Sequence, residues 1–218
     1  LLSHKETDVL ALLTDDSQYK SIKKLNPDIL ISAGFDHIIP DNILDVPDQG
    51  AINLHPSFLP YNKGVNPDVW SIIRDEPAGV SIHYMTSQMD QGSIIARERV
   101  PIEPSDTGRS LRKKLDAAIV QLFKKEWESI YQNTCDPVPQ SDEGSVNYSN
   151  ELARECELKL NHQSTIGDLI DKLRALSFPP YHNAYFETDE KKYYVRISIT
   201  PEDQAIVDDN EWDTPTLF

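Results

Sequence analysis

Gly50-Ala51-Ile52-Asn53-Leu54-His55-Pro56-Ser57 is a short apolar run that turns polar at its far end. Ala51 and Ile52 read as a buried strand, and Asn53 and His55, two residues apart, project to the same side of it. Pro56 fixes the exit of the chain. Open α/β sheets bind ligands beyond the carboxyl ends of their strands, so the stretch predicts an α/β fold with a polar site at this strand end.

The neighbouring segments extend that sheet. VLALL at Val9–Leu13 and DILISA at Asp28–Ala33 predict two buried parallel strands, with Ser17–Leu25 as the helical crossover between them. Ile52–Leu54 is then the third strand. Asn66-Pro67-Asp68 predicts a helix start, with a cap, a proline and an acid in the first turn, and Val69, Trp70, Ile72 and Ile73 form its apolar face. Gly79–Met85 predicts a strand with Val80, Ile82 and Tyr84 on one face and Ser81, His83 and Met85 on the other. Ser93–Val100 is its expected partner. Thr107–Tyr131 carries Leu111, Leu115, Ala118, Ile119, Leu122 and Ile130 at helical spacing.

Asn133–Asn150 is polar, contains Pro and Gly, and reads as a linker or exposed loop. Beyond it, Thr165 and Asp168 form a capping-box signature for a helix that Phe178-Pro179-Pro180 stops. Ala184–Glu187 and Tyr193–Ile199 predict a hairpin around residues 188–191, with Val195, Ile197 and Ile199 alternating inward. The expected division is a main unit over 1–132, a linker over 133–150, a small module over 151–200 and an acidic tail over 201–218. The first readable strand looks like a second strand, and the chain opens at Leu1 rather than Met. A first βα unit is therefore expected to be missing or truncated.

Composition narrows the function. A formal net charge of −15 argues against general nucleic-acid binding, which depends on cationic contacts to phosphate. It leaves room for a local basic pocket that takes a phosphorylated small molecule. Cys135 and Cys156 are too few for a disulfide framework and fit a reducing, cytoplasmic compartment. No apolar stretch has the length to span a membrane, and no signal peptide is evident.

After the predicted helix, Gln88-Met89-Asp90-Gln91-Gly92 brings a carboxylate on a separate turn. Asn53, His55 and Asp90 can together serve an acyl transfer, as oxyanion donor, acid or base, and proton acceptor. Each alone is ordinarily structural; the combination has the specificity. A two-His, one-carboxylate metal site from His55, His83 and Asp90 is the competing reading. No HxH or HxxxH spacing supports it and it leaves Asn53 unexplained, so no metal is expected. Ser57 has no base of its own and reads as a cap or brace for the loop.

INLHPSFLP (52–60), GVSIHYM (79–85) and QMDQGSII (88–95), in this order and spacing, resemble the formyltransferases that use N10-formyltetrahydrofolate. AGFDHIIP (33–40) is similar to the loop lining that family's folate pocket. The resemblance covers residues 25–130 strongly and 160–200 more weakly. It implies a Rossmann-like formyltransferase core with a small C-terminal helix plus β-hairpin module. Asn53, His55 and Asp90 are then the catalytic set, and N10-formyltetrahydrofolate is the co-substrate. Phe35, Ile38, Ile39, Pro40, His83, Met85 and Asp90 are the implied folate contacts.

Three branches of the family differ in acceptor. Enzymes acting on glycinamide ribonucleotide are close to a single domain, and those acting on initiator tRNA carry a larger, basic C-terminal domain. The segment Pro60–Trp70 and the small module look most like the branch that formylates nucleotide-linked amino sugars for surface polysaccharide, closest to dTDP-4-amino-4,6-dideoxyglucose N-formyltransferases. A dTDP-amino sugar is then the expected substrate, and a homodimer the expected assembly. Candidate substrate contacts are Tyr61, Asn62, Lys63, Gly64, Asn66, Trp70, Arg174, Phe178 and Tyr181. Lys63 reads as a phosphate contact or a solvated lysine, and Asn66 as a sugar contact or a helix cap. Phe178 and Tyr181 read as a stacking platform or as packing between units. A binding relative without turnover and a formyl-folate hydrolase are the remaining alternatives.

Overall fold

The computed structural model describes residues 7–9 and 11–204. A 3-10 turn at Asp16–Gln18 leads into α1 (Tyr19–Leu25), β1 (Leu30–Ala33), α2 (Asp41–Leu44), β2 (Ala51–His55), β3 (Lys63–Gly64) and α3 (Pro67–Ile73). There follow β4 (Gly79–Tyr84), β5 (Ile94–Arg99), α4 (Gly108–Tyr131), β6 (Val146–Asn147), α5 (Ser149–Glu155), α6 (Ile166–Leu176), β7 (Tyr185–Thr188) and β8 (Lys191–Tyr194). Four strands make an open sheet in the order β1-β2-β4-β5, the first pair parallel and the other two antiparallel.

The register of β2 divides its residues between two environments. Asn53 lies opposite Ser32 and His83, and His55 opposite Ser81. Directly opposed residues share a face, so these polar groups form one row across the sheet. Ile52, Leu54, Val80 and Ile82 take the other face, in a core with Val69, Ile72, Leu111, Leu115, Leu122 and Ile130. A buried Leu or Ile contributes about 2 kcal/mol, so this face anchors β2 and leaves its opposite side free for polar groups. Ala51, on the polar face, starts a smaller cluster with Ile22, Ile39, Ile43 and Leu44.

Helix α4 begins with a reciprocal cap. The Thr107 hydroxyl accepts from the Ser110 N–H at 3.2 Å, and the Ser110 hydroxyl accepts from the Thr107 N–H at 2.9 Å. At Gly108 an added Cβ would lie 2.2 Å from the Ala175 carbonyl oxygen, so α4 and the end of α6 meet backbone to backbone. Ala175, Leu176 and Ala184 belong to the large core, and the C-terminal module is packed into it.

Four expectations require correction. The described residues of Val9–Leu13 form no strand: Leu12 is 86% exposed and only Leu13 packs, against the smaller cluster. A parallel strand is stable when covered on both faces, and this run has no such cover. Leu10, and the acidic tail beyond residue 204, lie outside the described residues. Asn66 makes no side-chain cap; it takes a left-handed conformation (φ 54°) before Pro67. The hairpin closes two residues earlier on its second strand, because Asp189 and Glu190 both adopt positive φ and make a two-residue turn. Val195, Ile197 and Ile199 are half-buried beyond the strand proper, alternating with exposed Arg196 and Ser198.

The segment 133–150 is largely exposed, as expected, but its backbone is bonded to the main unit at two places rather than free. Val138 and Ile94 exchange two backbone hydrogen bonds of 2.8 Å. β6 then pairs in parallel with β3, and the Lys63 and Val65 N–H groups donate to the Ser145 and Asn147 carbonyls at 2.9 and 3.1 Å. A polar sequence can be packed where its backbone groups find partners, and hydropathy is blind to that.

Candidate active site

β2 delivers Asn53 and His55, β4 delivers His83, and the turn after β4 delivers Asp90. The Asn53 amide nitrogen lies 3.3 Å from Asp90 Oδ1 and 3.4 Å from His83 Nε2. His55 Nε2 is 3.6 Å from Asp90 Oδ2, and His83 Nε2 is 3.4 Å from Asp90 Oδ1. The Gly64 N–H donates to Asp90 Oδ2 at 2.8 Å. One carboxylate thus gathers an amide, two imidazoles and a main-chain donor in a nearly solvent-free setting.

Burial alone would raise the Asp90 pKa. The adjoining His55 and His83 and the Gly64 N–H outweigh it and hold the carboxyl well below the usual range. Asp90 is therefore ionised near neutral pH. His55 is pushed the other way: burial lowers its pKa, and the attraction of Asp90 only partly offsets that. It is neutral near pH 7. Its Nε2 faces two acceptors, Asp90 and the Asn62 carbonyl at 3.4 Å, which favours the tautomer with the proton on Nε2. His83 faces an acceptor on each side, the Tyr84 carbonyl 2.8 Å from Nδ1 and Asp90 Oδ1 3.4 Å from Nε2. Among the described residues no group of three or more His, Cys, Asp or Glu is arranged to hold a metal.

Several candidate contacts lie elsewhere. Asn62 has no exposed surface: its amide donates to Ser71 Oγ at 3.1 Å, and its carbonyl accepts from Asn147 Nδ2 at 3.3 Å and Ser145 Oγ at 3.4 Å. Its amide and its side-chain carbonyl are both engaged within the protein. Lys63 is neither a solvated lysine nor a free cation; it is 6% exposed and its Nζ reaches the Glu143 carbonyl at 3.5 Å. Trp70 is buried under the Arg74 guanidinium, since α3 turns that side chain into the core. Arg174 braces the module, donating to Asp171 and to the Glu103 and Asp106 carbonyls. Among the described residues the Ser57 hydroxyl has no hydrogen-bond partner; its carbonyl accepts from Ser81 Oγ at 2.8 Å.

The remaining candidates are accessible. Tyr61 and Asn66 are half-buried beside the site loop, and Phe178 is half-buried next to an exposed Tyr181, their rings 6.2 Å apart. On the implied folate side, Ile38 is 91% exposed and Pro40 is exposed, while Phe35 and Met85 pack against the small cluster in which Ile39 is buried. Gln140, Ser145 and Asn147, which tie residues 138–147 to the site, carry no signal in a single sequence, because one amide or hydroxyl in a polar run resembles any other.

This chain matches the family described as formyl transferase over residues 3–125, and the N-formyltransferase dimerization C-terminal domain over residues 151–201. The chain belongs to the formyl transferase family. Within it, a dTDP-4-amino-4,6-dideoxyglucose formyltransferase from Mycobacterium bovis is 33% identical over 71% of this chain and 66% of its own. A methionyl-tRNA formyltransferase from Malacoplasma penetrans is 32% identical over 81% of this chain and 55% of its own. This chain thus spans between about half and two thirds of the length of these relatives. Among solved structures, a 4-N formyltransferase from Francisella tularensis superposes with a TM-score of 0.81 at 29% identity, over 87% of this chain and 77% of that one. The formyltransferase PseJ from Anoxybacillus kamchatkensis, in complex with UDP-4,6-dideoxy-4-formamido-L-AltNAc and tetrahydrofolate, is 38% identical, with a TM-score of 0.56 over 58% of this chain and 67% of its own.

Proposed function

We propose that this chain transfers the formyl group of N10-formyltetrahydrofolate to the amino group of a dTDP-linked amino-dideoxy sugar such as dTDP-4-amino-4,6-dideoxyglucose. The observation that carries the reading is the convergence of Asn53, His55 and Asp90 at the carboxyl end of β2. The neutral sugar amine attacks the formyl carbon, and negative charge develops on the formyl oxygen. Asn53, through its amide, and neutral His55, through Nε2–H, are the donors for that oxygen. Ionised Asp90 accepts the proton that the attacking nitrogen must lose, and the folate nitrogen is protonated as it leaves. No covalent enzyme intermediate is needed.

The name of one relative and the ligand of another support a nucleotide sugar as acceptor. A methionyl-tRNA acceptor has equally similar relatives, but a net charge of −15 opposes docking of a polyanion. Assembly as a homodimer through residues 151–201 is supported by the matched dimerization domain and by exposed Ile166, Leu169 and Ile170 on α6.

Mass spectrometry of incubations with N10-formyltetrahydrofolate tests the reading. Formylated dTDP-amino sugar is the expected product. Formylated methionyl-tRNA alone would move the acceptor, and free formate without any acceptor would make the protein a hydrolase. No turnover with intact folate binding would leave only a binding protein.

A further inference from the structure

The stretch 138–147 holds Asp90 at both ends. Asp90 adopts a left-handed backbone (φ 53°), which an aspartate reaches more cheaply than most residues with a Cβ. Its turn is pressed against β4: a Cβ on Gly92 would lie 1.9 Å from the Tyr84 carbonyl oxygen. The Gln140 side-chain amide nitrogen donates to the Asp90 carbonyl at 2.8 Å and to the Gly92 carbonyl at 2.7 Å. An amide –NH2 has two hydrogens, so one side chain satisfies two carbonyls across the turn. At the other end of Asp90, the Gly64 N–H that grips Oδ2 is presented by β3, whose partner is β6 of the same stretch. β6 is itself fixed by the Asn62, Ser145 and Asn147 side chains and by Arg74, which donates to Asn147 Oδ1 at 2.7 Å.

We propose that Gln140 is a positioning residue: its two hydrogen bonds set the Asp90 turn and so the placement of the carboxylate against Asn53 and His55. The chemistry assigned to Asp90 rests on the function proposed above, whereas the positioning itself does not. Gln140 touches neither Asn53 nor His55 through any hydrogen bond described, and it acts through the main chain of Asp90. Of the carboxamides, only Gln combines two donor hydrogens on one nitrogen with this reach. Glu has the reach without the donors.

A double-mutant cycle with Asp90→Asn tests this. Gln140→Leu is expected to lower kcat by about ten- to a hundredfold, the scale of a small misplacement of a catalytic group, with both KM values within about threefold. In an Asp90→Asn background the same change is expected to lower the residual rate by less than twofold, because the group it positions is gone. Losses that multiply across the cycle, or an unchanged kcat with only a lower Tm, would overturn the proposal. If Gln140→Leu does not fold, isosteric Gln140→Glu replaces it in the cycle. Its rate relative to the parent at the same pH should be lowest near neutral pH and rise as the pH falls and the acid regains a donor hydrogen; a ratio that does not change with pH overturns the proposal.

NMR titration of His55 reads the same geometry without turnover, and so distinguishes failure of the positioning from failure of the formyl-transfer reading. Asp90 raises the His55 pKa, while burial, His83 and Arg112 lower it. Losing Gln140 is expected to move the His55 titration further down, and an unmoved titration counts against the positioning role.

Discussion

Asp90 is where this protein concentrates its constraints: a left-handed backbone, a main-chain donor on Oδ2, and Asn53, His55 and His83 around one carboxylate. Replacing Asp90 by Asn, or His55 by Ala, is expected to lower turnover by about 10²- to 10⁴-fold with the circular dichroism spectrum intact. A near-normal rate in either variant would remove that residue from the mechanism. Because burial holds the His55 pKa below 6.5, the imidazole stays neutral as the pH falls to that value. Protonation at lower pH pairs it with Asp90 and takes away the proton acceptor. The rate is expected to fall on the acid side with a midpoint below pH 6.5; a midpoint at or above pH 6.5 would contradict a buried neutral imidazole. Asn53, His55 and Asp90 were legible in the sequence because a strand's period of two and a turn glycine determine where such side chains go. Asn62, Lys63 and Trp70 lie within eight residues of one another in the same segment, yet their side chains turn inward, since chain proximity says nothing of direction.

Among the elements, α3 carries an energetic liability. Asp68, in its first turn, is buried, and burial raises its pKa to about 6 against the pull of Arg112 and of nearby backbone N–H groups. Below about pH 4 it is protonated in both folded and unfolded chains and contributes nothing. As the pH rises to 6 the unfolded chain releases the proton first, so stability falls and the full cost remains above pH 6, on the order of 3 kcal/mol. Asp68→Asn is expected to raise the urea midpoint at pH 8 and to leave it nearly unchanged at pH 4. An equal change at both pH values would assign the effect to packing instead. The sequence marked this element through Pro67 and its apolar face, and marked α4 through Leu111, Leu115 and Leu122, because helical periodicity is a local property. It misread residues 138–147, whose order comes from β3, β5 and the Asp90 turn, more than forty residues away in most of these contacts.

For the whole molecule, the module that shares the core through Ala175, Leu176 and Ala184 also presents Ile166, Leu169 and Ile170 to solvent. Exposed apolar groups on one helix, in a region matched to a dimerization domain, lead to the expectation of a dimer in sedimentation at micromolar concentration. Ile166→Asp together with Leu169→Asp should yield a folded monomer. A wild-type monomer would show that this surface serves another purpose.

The sequence by itself determined which polar residues gather at the end of β2 and the class of fold, since strand alternation, helix caps and the order of three motifs are all short-range features. Only the tertiary structure decided which nearby polar residues face the site, that Gln140 hydrogen-bonds the Asp90 turn, and that Val9–Leu13 forms no strand in its described part. Those outcomes depend on which backbone donors and acceptors meet across long separations. No pattern of hydropathy along one chain encodes such pairings.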